Sequence, residues 1–444
     1  MKKLFLVILC FFITGISAYS KNMQHGIGSI ISYSGIPVNS VSISVKDLKT
    51  GQVIYKLNDK ILMHPASVQK LLTIVPIMDV LGEDYKLKTE LYSRGKDGYL
   101  IKLGADPYLT SSDIGTLVDK INIEAVSKIY IDDSIIEPKD WGEGWQWDDD
   151  LNVLMPHFNS YNLDGNVTKY TLAPTEAGKP VQIINTSKSP FVILNNVITG
   201  NKNAVSVSRD NAAAPNILKM DGTVQTKLVQ VIPNNNLKWY FNYKLRNILE
   251  EHKIYLKEAY AISKKSGADK KISEVTHGVD LAVDDILKNS SNMTAETLSK
   301  LAAAKLYNKQ GSDIDGVKLF YDYCDRMGIN RSEVRVVDAS GVSKNNLMNA
   351  DFITEFLIKS QEKPVLTKMC VPGTGTLASR MVHLKNNLRA KTGTLSDTSG
   401  IAGFLTAKSG REYAFSIMIS TPSSSSSDKK MLENYIIREL YLDY

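Results

Sequence analysis

One segment of this 444-residue chain constrains the fold more than any other. Residues 67–81, Ser-Val-Gln-Lys-Leu-Leu-Thr-Ile-Val-Pro-Ile-Met-Asp-Val-Leu, are apolar at most positions, follow Pro65 and stop at Gly82. A helix with so little polar surface has to be buried on nearly all sides, with an irregularity expected at Pro76. Only a domain with a sizeable core can enclose it. The composition supplies one: 43% of residues are hydrophobic and 23% charged. At about 150 residues per domain, the length suggests two or three domains.

The surrounding segments read as α and β structure mixed. Val41–Val45, a Lys49-Thr50-Gly51 turn and Gln52–Leu57 suggest a strand, a turn and a strand. Residues from about 90 to 265 carry short β-like runs, many Asn, Asp and Pro, and a cluster of Trp141, Trp145 and Trp147. This stretch reads as an inserted β-rich region. Val283 to Tyr307 returns to a helical pattern, and Phe352, Ile353, Phe356 and Leu357 recur at one-turn spacing. Gly403–Ala407 and Ala414–Ile419 read as paired strands. The serine run 423–427 is expected to cap a last helix with Met431, Leu432, Tyr435, Ile436 and Leu440 on its apolar face.

The N-terminus has the form of a secretory signal. Lys2 and Lys3 precede an apolar run from Leu4 to Ile16, and Ile16-Ser17-Ala18 is a small-residue cleavage site. The run is shorter than the ~20 residues a membrane span needs. Cleavage after residue 18 would change 53 basic residues to 51 against 47 acidic ones, and the three cysteines to Cys324 and Cys370. Those two are open to pairing in an oxidising compartment or to service as small buried hydrophobes. The charge is too small and too dispersed to suggest nucleic acid. The six histidines are scattered, no Cys-x-x-Cys occurs, and no Gly-rich phosphate loop follows a strand, so neither metal nor cofactor is expected.

Three short motifs stand in order: Ser67-Val-Gln-Lys70, Ser290-Ser-Asn292 and Lys391-Thr-Gly393. Each is weak by itself. Ser-x-x-Lys recurs at Ser93, Ser360, Ser426 and Ser427, Ser-x-Asn at Ser160 and Ser343, and Lys-Thr-Gly at Lys49. Context separates the copies. Ser67 and Lys70 open the buried helix, and three-residue spacing puts them on one face. A serine is a weak nucleophile until a neighbouring base takes its proton. A lysine serves when burial and nearby cations lower its pKa. A helix N-terminus adds positive potential where an oxyanion forms. Lys391 lies in a strand-like run with Gly393, where a backbone can approach a ligand. The Lys49 copy is turn chemistry. Ser290-Ser-Asn292 joins two helical stretches, which suits helix capping as well as pointing polar groups into a cleft.

Taken together, these residues resemble the class C low-molecular-mass penicillin-binding proteins, the D-alanyl-D-alanine carboxypeptidase/endopeptidase family of penicillin-binding protein 4 type. Pro65–Thr73, Gly104-Ala-Asp-Pro-Tyr-Leu-Thr110, Gly144-Trp-Gln-Trp-Asp-Asp149, Asp338–Ser343, Gly375-Thr-Leu377 and Ala390–Leu395 add to the likeness, as do the 223 positions from Ser67 to Ser290. Two positions depart from it: Ser291, where Asp is common, and Ala339, where Gly is usual.

The resemblance implies an α+β fold, with a split transpeptidase/β-lactamase-like catalytic domain of antiparallel sheet and flanking helices. Residues 19–90 and 268–444 would form that domain. The insert 91–267 would divide into one part of about 91–170 and 237–267 and a nested part of about 171–236. The implied function is a serine DD-peptidase of the periplasm, loosely membrane-associated at most. It would act on peptidoglycan stem peptides and be blocked covalently by β-lactams. Ser67 would be acylated and Lys70 its base. Ser290 would relay a proton, Asn292 bond the substrate amide and Lys391 support the proton path. Thr392, Gly393 and Thr394 would bind substrate, and the Ser67 and Thr394 N–H groups would form the oxyanion hole. Asp149 would meet the free amino end of the stem, or else be a surface acid in the run 148–150. A homo-oligomer is left open. The competing readings are a β-lactamase or esterase of this fold and a catalytically silent wall-binding scaffold.

Overall fold

The computed structural model describes residues 25–96 and 98–442. The expected signal peptide, residues 1–18, lies outside them. The chain divides into two compact units. One holds the chain up to Val80, Val283–Ser291 and Gly316–Tyr444; the other holds Leu81–Ala282 and Asn292–Asp315.

The first unit is built on a five-stranded antiparallel sheet. Its order is Leu388–Thr394, Thr398–Thr406, Glu412–Ser420, Val41–Asp47, Val53–Leu57. The strands from both chain ends interleave in one sheet, and its central strands Thr398–Thr406 and Glu412–Ser420 are buried at nearly every position, on both faces. Val41, Ile43, Val45, Ile401, Phe415 and Ile417 share one core with Leu432, Ile436, Ile437 and Leu440 of the C-terminal helix Ser426–Leu442, whereas Met431 and Tyr435, expected on the same face, are exposed one position to the side of it and Ile437 takes the buried place. Ser44 alternates to the opposite face, where its Oγ lies 2.8 Å from Thr354 Oγ1 of helix Ala350–Ser360. The expected capping of the last helix is present: Ser425 Oγ accepts from Asp428 N–H at 3.1 Å and donates to its carboxylate at 2.7 Å.

The segment that opened the sequence reading forms the α-helix Gln69–Leu81, buried at most positions, with Pro76 inside it. Its start differs from expectation. Ala66–Val68 is a separate 3-10 turn, and Ala66 has a left-handed φ of 47°. Ser67 therefore sits in a tight turn just ahead of the α-helix. The tertiary neighbours described below impose that turn, which local propensity would not select.

The second unit has a five-stranded mixed sheet, ordered Ala261–Ile262, Lys128–Asp132, Gly98–Lys102, Lys86–Arg94, Lys270–Gly278. Helices Ser111–Val118 and Leu237–Glu251 pack their apolar faces with it in one core. Two three-stranded sheets within residues 167–233 enclose a separate, smaller core that includes Tyr170, Leu172, Val197, Leu218 and Met220. Among the described residues, no helix is long and apolar enough to cross a membrane.

Candidate active site

Lys70 is fully buried and Ser67 half-buried. Lys70 Nζ lies 2.9 Å from Ser67 Oγ and donates to the Ser340 carbonyl at 2.7 Å. The three-residue spacing thus brings the two together, as the helical geometry requires. Ser340 was not singled out in the sequence as a contact of Lys70. Its carbonyl holds the lysine from a loop 270 residues away.

That loop is organised by Asp338. Its carboxylate accepts from Gly341 N–H at 2.8 Å, Ser343 N–H at 2.9 Å, Ser340 Oγ at 3.0 Å and Asn346 Nδ2 at 2.7 Å. A buried side chain that gathers this many donors fixes the loop around itself. Thr73 Oγ1 donates to the Ala339 carbonyl at 2.7 Å, docking the loop on the helix. Ala339 acts through its backbone, so a methyl in place of the usual hydrogen leaves this contact intact. Gly341 has φ of 80°, and a Cβ there would lie 2.0 Å from the Ala66 carbonyl oxygen. This close approach helps hold Ala66 in its unusual conformation.

The third motif lies on the edge strand Leu388–Thr394. A Cβ on Gly393 would meet the backbone nitrogens of Ser67 and Val68 at 2.8 Å each, so only glycine lets this strand touch the Ser67 turn. Lys391, two residues earlier, shares that strand face. It is fully buried, and its Nζ donates to Ser290 Oγ at 2.8 Å and to the Thr392 carbonyl at 2.8 Å. Burial, reinforced by the charge of Lys70, pushes the Lys391 ammonium well below the ordinary lysine range. Thr392 is buried and Thr394 exposed at the strand end.

Ser290 ends a short π-helical turn, Asp285–Asn289, in the left-handed conformation, φ 65° and ψ 32°. A non-glycine residue held there costs about 1–3 kcal/mol and persists only when its surroundings enforce it. Ser291 N–H closes the turn on the Asp285 carbonyl at 3.1 Å. Behind it, Cys370 Sγ lies 3.4 Å from the Leu287 carbonyl oxygen, and a Cβ on Gly375 would sit 2.5 Å from the Lys288 carbonyl oxygen. The Gly375-Thr-Leu377 stretch thereby supports the Ser290 turn. Cys324 and Cys370 are both buried free thiols, and burial raises the Cys324 thiol to about 12.

Asn292 and Asp149 fall in the second unit. Asn292 opens helix Asn292–Tyr307, is nearly buried, and donates from Nδ2 to the Leu154 carbonyl at 2.8 Å. Asp149 closes the 3-10 turn Trp147–Asp149 and is half-buried. Its neighbour Asp150 is the buried member of the acidic run. Asp150 pairs with Arg209 at 2.6 Å and contacts His157 Nε2 at 3.1 Å, and these partners outweigh burial to bring its carboxyl down to about 2. Among the described residues, no group of His, Cys, Asp and Glu side chains is arranged to hold a metal ion.

The model of the D-Ala-D-Ala carboxypeptidase 3 (S13) family matches residues 24–438. The chain belongs to that family. It is 24% identical over 448 residues to D-alanyl-D-alanine carboxypeptidase DacB of Haemophilus influenzae, covering 91% of each chain. Its fold superposes on the crystal structure of penicillin binding protein 4 from Haemophilus influenzae with a TM-score of 0.84, at 21% identity, over 94% of this chain and 99% of the other. The β-lactam complex of that protein matches with a TM-score of 0.76, at 20% identity, over 90% and 96% of the two chains. The expected fold class therefore holds, as does the assignment to the serine carboxypeptidase hydrolases. The family resemblance drawn from the motifs is the family found.

Proposed function

We propose that Ser67 is the acylated nucleophile of a D-Ala-D-Ala peptidase acting on peptidoglycan stem peptides. The observation that carries this reading is the 2.9 Å contact between Ser67 Oγ and buried Lys70 Nζ, at a turn pressed against Gly393. With Lys70 deprotonated, the same contact runs from the hydroxyl to the amine. Lys70 takes the proton as Ser67 Oγ attacks the carbonyl of the penultimate D-Ala. The N–H groups of Ser67 and Thr394 hold the oxyanion, and Thr392 and Thr394 hold the terminal carboxylate. The C–N bond then breaks. Ser290, bonded to Lys391 at 2.8 Å, passes a proton to the departing amine. Water hydrolyses the acyl-enzyme and restores Ser67. Asn292 bonds the substrate amide, and Asp149 faces the free amino end of the stem.

The same reading assigns residues 91–267 as the insert, with 171–236 nested in it. The separate apolar cores of the second unit support this division. It also assigns the mature protein to the periplasm, where its substrate lies, with β-lactams as covalent inhibitors.

Labelled penicillin tests the nucleophile: it attaches to the wild type and not to Ser67→Ala. Attachment to both, or to neither, would sink the mechanism. Mass analysis of digested muropeptides assigns the reaction. Loss of one terminal alanine marks a carboxypeptidase, and splitting of cross-linked dimers an endopeptidase.

A further inference from the structure

The C-terminal helix Ser426–Leu442 packs Leu432, Ile436, Ile437 and Leu440 into the core, yet Lys429 and Glu433 are buried with them, at 1% and 0% exposure. Burying charge is costly, and replacing a buried ion pair with apolar side chains is often neutral or stabilising. Stability alone therefore does not account for these two residues. Both are directed at one place. Lys429 Nζ donates to the Asp397 carbonyl at 2.8 Å, and Ser399 Oγ donates to Glu433 Oε1 at 2.6 Å. Arg380 Nη2 holds the other oxygen of Glu433 at 2.7 Å and is itself bonded to Asn434 Oδ1. Asp397 and Ser399 flank the start of strand Thr398–Thr406, and Ser399 stands directly opposite Thr394 in the register. The Leu395 N–H closes the connecting turn on the Thr398 carbonyl at 2.9 Å.

We propose that Glu433 and Ser399 are positioning residues that set the place of Thr394, and through it the preference of this site for substrates ending in a free carboxylate. The inference rests on the reading of Thr392 and Thr394 as the carboxylate site. Neither Glu433 nor Ser399 touches substrate. The carboxylate of Glu433 anchors Ser399, Ser399 anchors the strand opposite Thr394, and the exposed end of the edge strand keeps its geometry without a flanking strand of its own. Small displacements of such a group are expensive, because catalysis and recognition depend on placement at the ångström level.

The test measures acylation of Ser67 by intact mass, with benzylpenicillin and its methyl ester as the two probes. Wild type should favour the free carboxylate. Ser399→Ala should reduce that preference about tenfold by displacing Thr394, with little change in melting temperature. Glu433→Gln keeps an oxygen acceptor for Ser399 but leaves the Arg380 charge unbalanced. It should keep the preference and melt at lower temperature. A purely structural role predicts preference intact in both variants, with loss confined to stability, and so differs at Ser399→Ala; intact preference there would overturn the proposal. Equal slowing of both probes in Ser399→Ala overturns it too, as does a wild type with no preference. If Ser399→Ala does not fold, Glu433→Asp, which withdraws the carboxylate by one carbon, should lower the same ratio. A wild type acylated by neither probe would instead remove the acyl-enzyme reading on which the inference stands.

Discussion

The tripeptide Lys-Thr-Gly occurs twice in the first unit, and the two copies have nothing in common beyond their letters. Lys49-Thr50-Gly51 connects strands Val41–Asp47 and Val53–Leu57. Asp47 Oδ1 gathers the N–H of Lys49 at 3.1 Å, the N–H of Thr50 at 2.8 Å and the Thr50 hydroxyl at 2.9 Å, and Gly51 takes φ of 71°. Lys49 is in water. In Lys391-Thr392-Gly393 the lysine is fully buried, and the glycine is extended and pressed against the Ser67 turn. In the first copy glycine serves backbone conformation; in the second it serves proximity. In the first the lysine is solvated; in the second its charge is disfavoured. The chemistry belongs to the environment the strand enters, so the motif carries information only together with Ser67 and Ser290.

Paired substitutions test this contrast. The largest difference is expected from removing the ammonium. Lys391→Met should slow acylation by labelled penicillin about 10²–10⁴-fold, the range for a positioned proton-transfer partner. Lys49→Met should leave it unchanged. If the two variants behave alike, the assignment of Lys391 is wrong.

Next come the glycines. Gly393→Ala places a methyl 2.8 Å from two backbone nitrogens, so the strand or the turn has to move. Acylation should fall about tenfold or more, since a 1 Å displacement costs up to about 100-fold. Gly51→Ala meets open space at φ 71°. It should cost about 1–2 kcal/mol in denaturant melts, with the acylation rate unmoved.

The smallest effect is on pH dependence. The folded-state pKa of Lys391 is lowered, so between that value and the ordinary lysine value of about 10.4 the unfolded chain binds more protons than the folded one. Stability should therefore gain a contribution from Lys391 as pH rises through that window and lose it as pH falls back through it to the lowered value, below which both states are protonated and the slope vanishes. Melting curves across pH should show this slope in wild type and a shallower one in Lys391→Met. Equal slopes would mean that the buried ammonium is not destabilised as described.

The legible parts of the site were those set by local periodicity. Ser67 and Lys70 are three residues apart at the start of a segment too apolar to be exposed, and their meeting follows from one-turn spacing, which the 3-10 turn at Ser67 keeps as an α-helix would. The strands 41–45, 52–57, 403–407 and 414–419 were legible because alternation and β-branching mark them. The turn geometry at Ser67 was not, because the left-handed Ala66 depends on Gly341 and Gly393, which arrive from distant segments. The left-handed Ser290 was equally hidden: its support comes from Cys370 and Gly375. Neither the Ser340 carbonyl on Lys70 nor the Glu433 carboxylate under Ser399 leaves a periodic trace, since each is a single contact across more than thirty residues.

The amino-acid order alone determined that a serine and a lysine stand one turn apart at the entry to a buried helix, that a strand carries a second lysine beside a glycine, and that a long stretch separates the first motif from the second. Those are consequences of side-chain spacing and hydrophobic pattern, which act over a few residues. Only the tertiary structure decided which Lys-Thr-Gly is buried, how close Gly393 comes to Ser67, and how far the Lys391 ammonium is disfavoured. Burial and charge proximity arise when segments far apart in sequence pack together, and those long-range contacts give Ser67, Lys70 and Lys391 surroundings that their spacing does not specify.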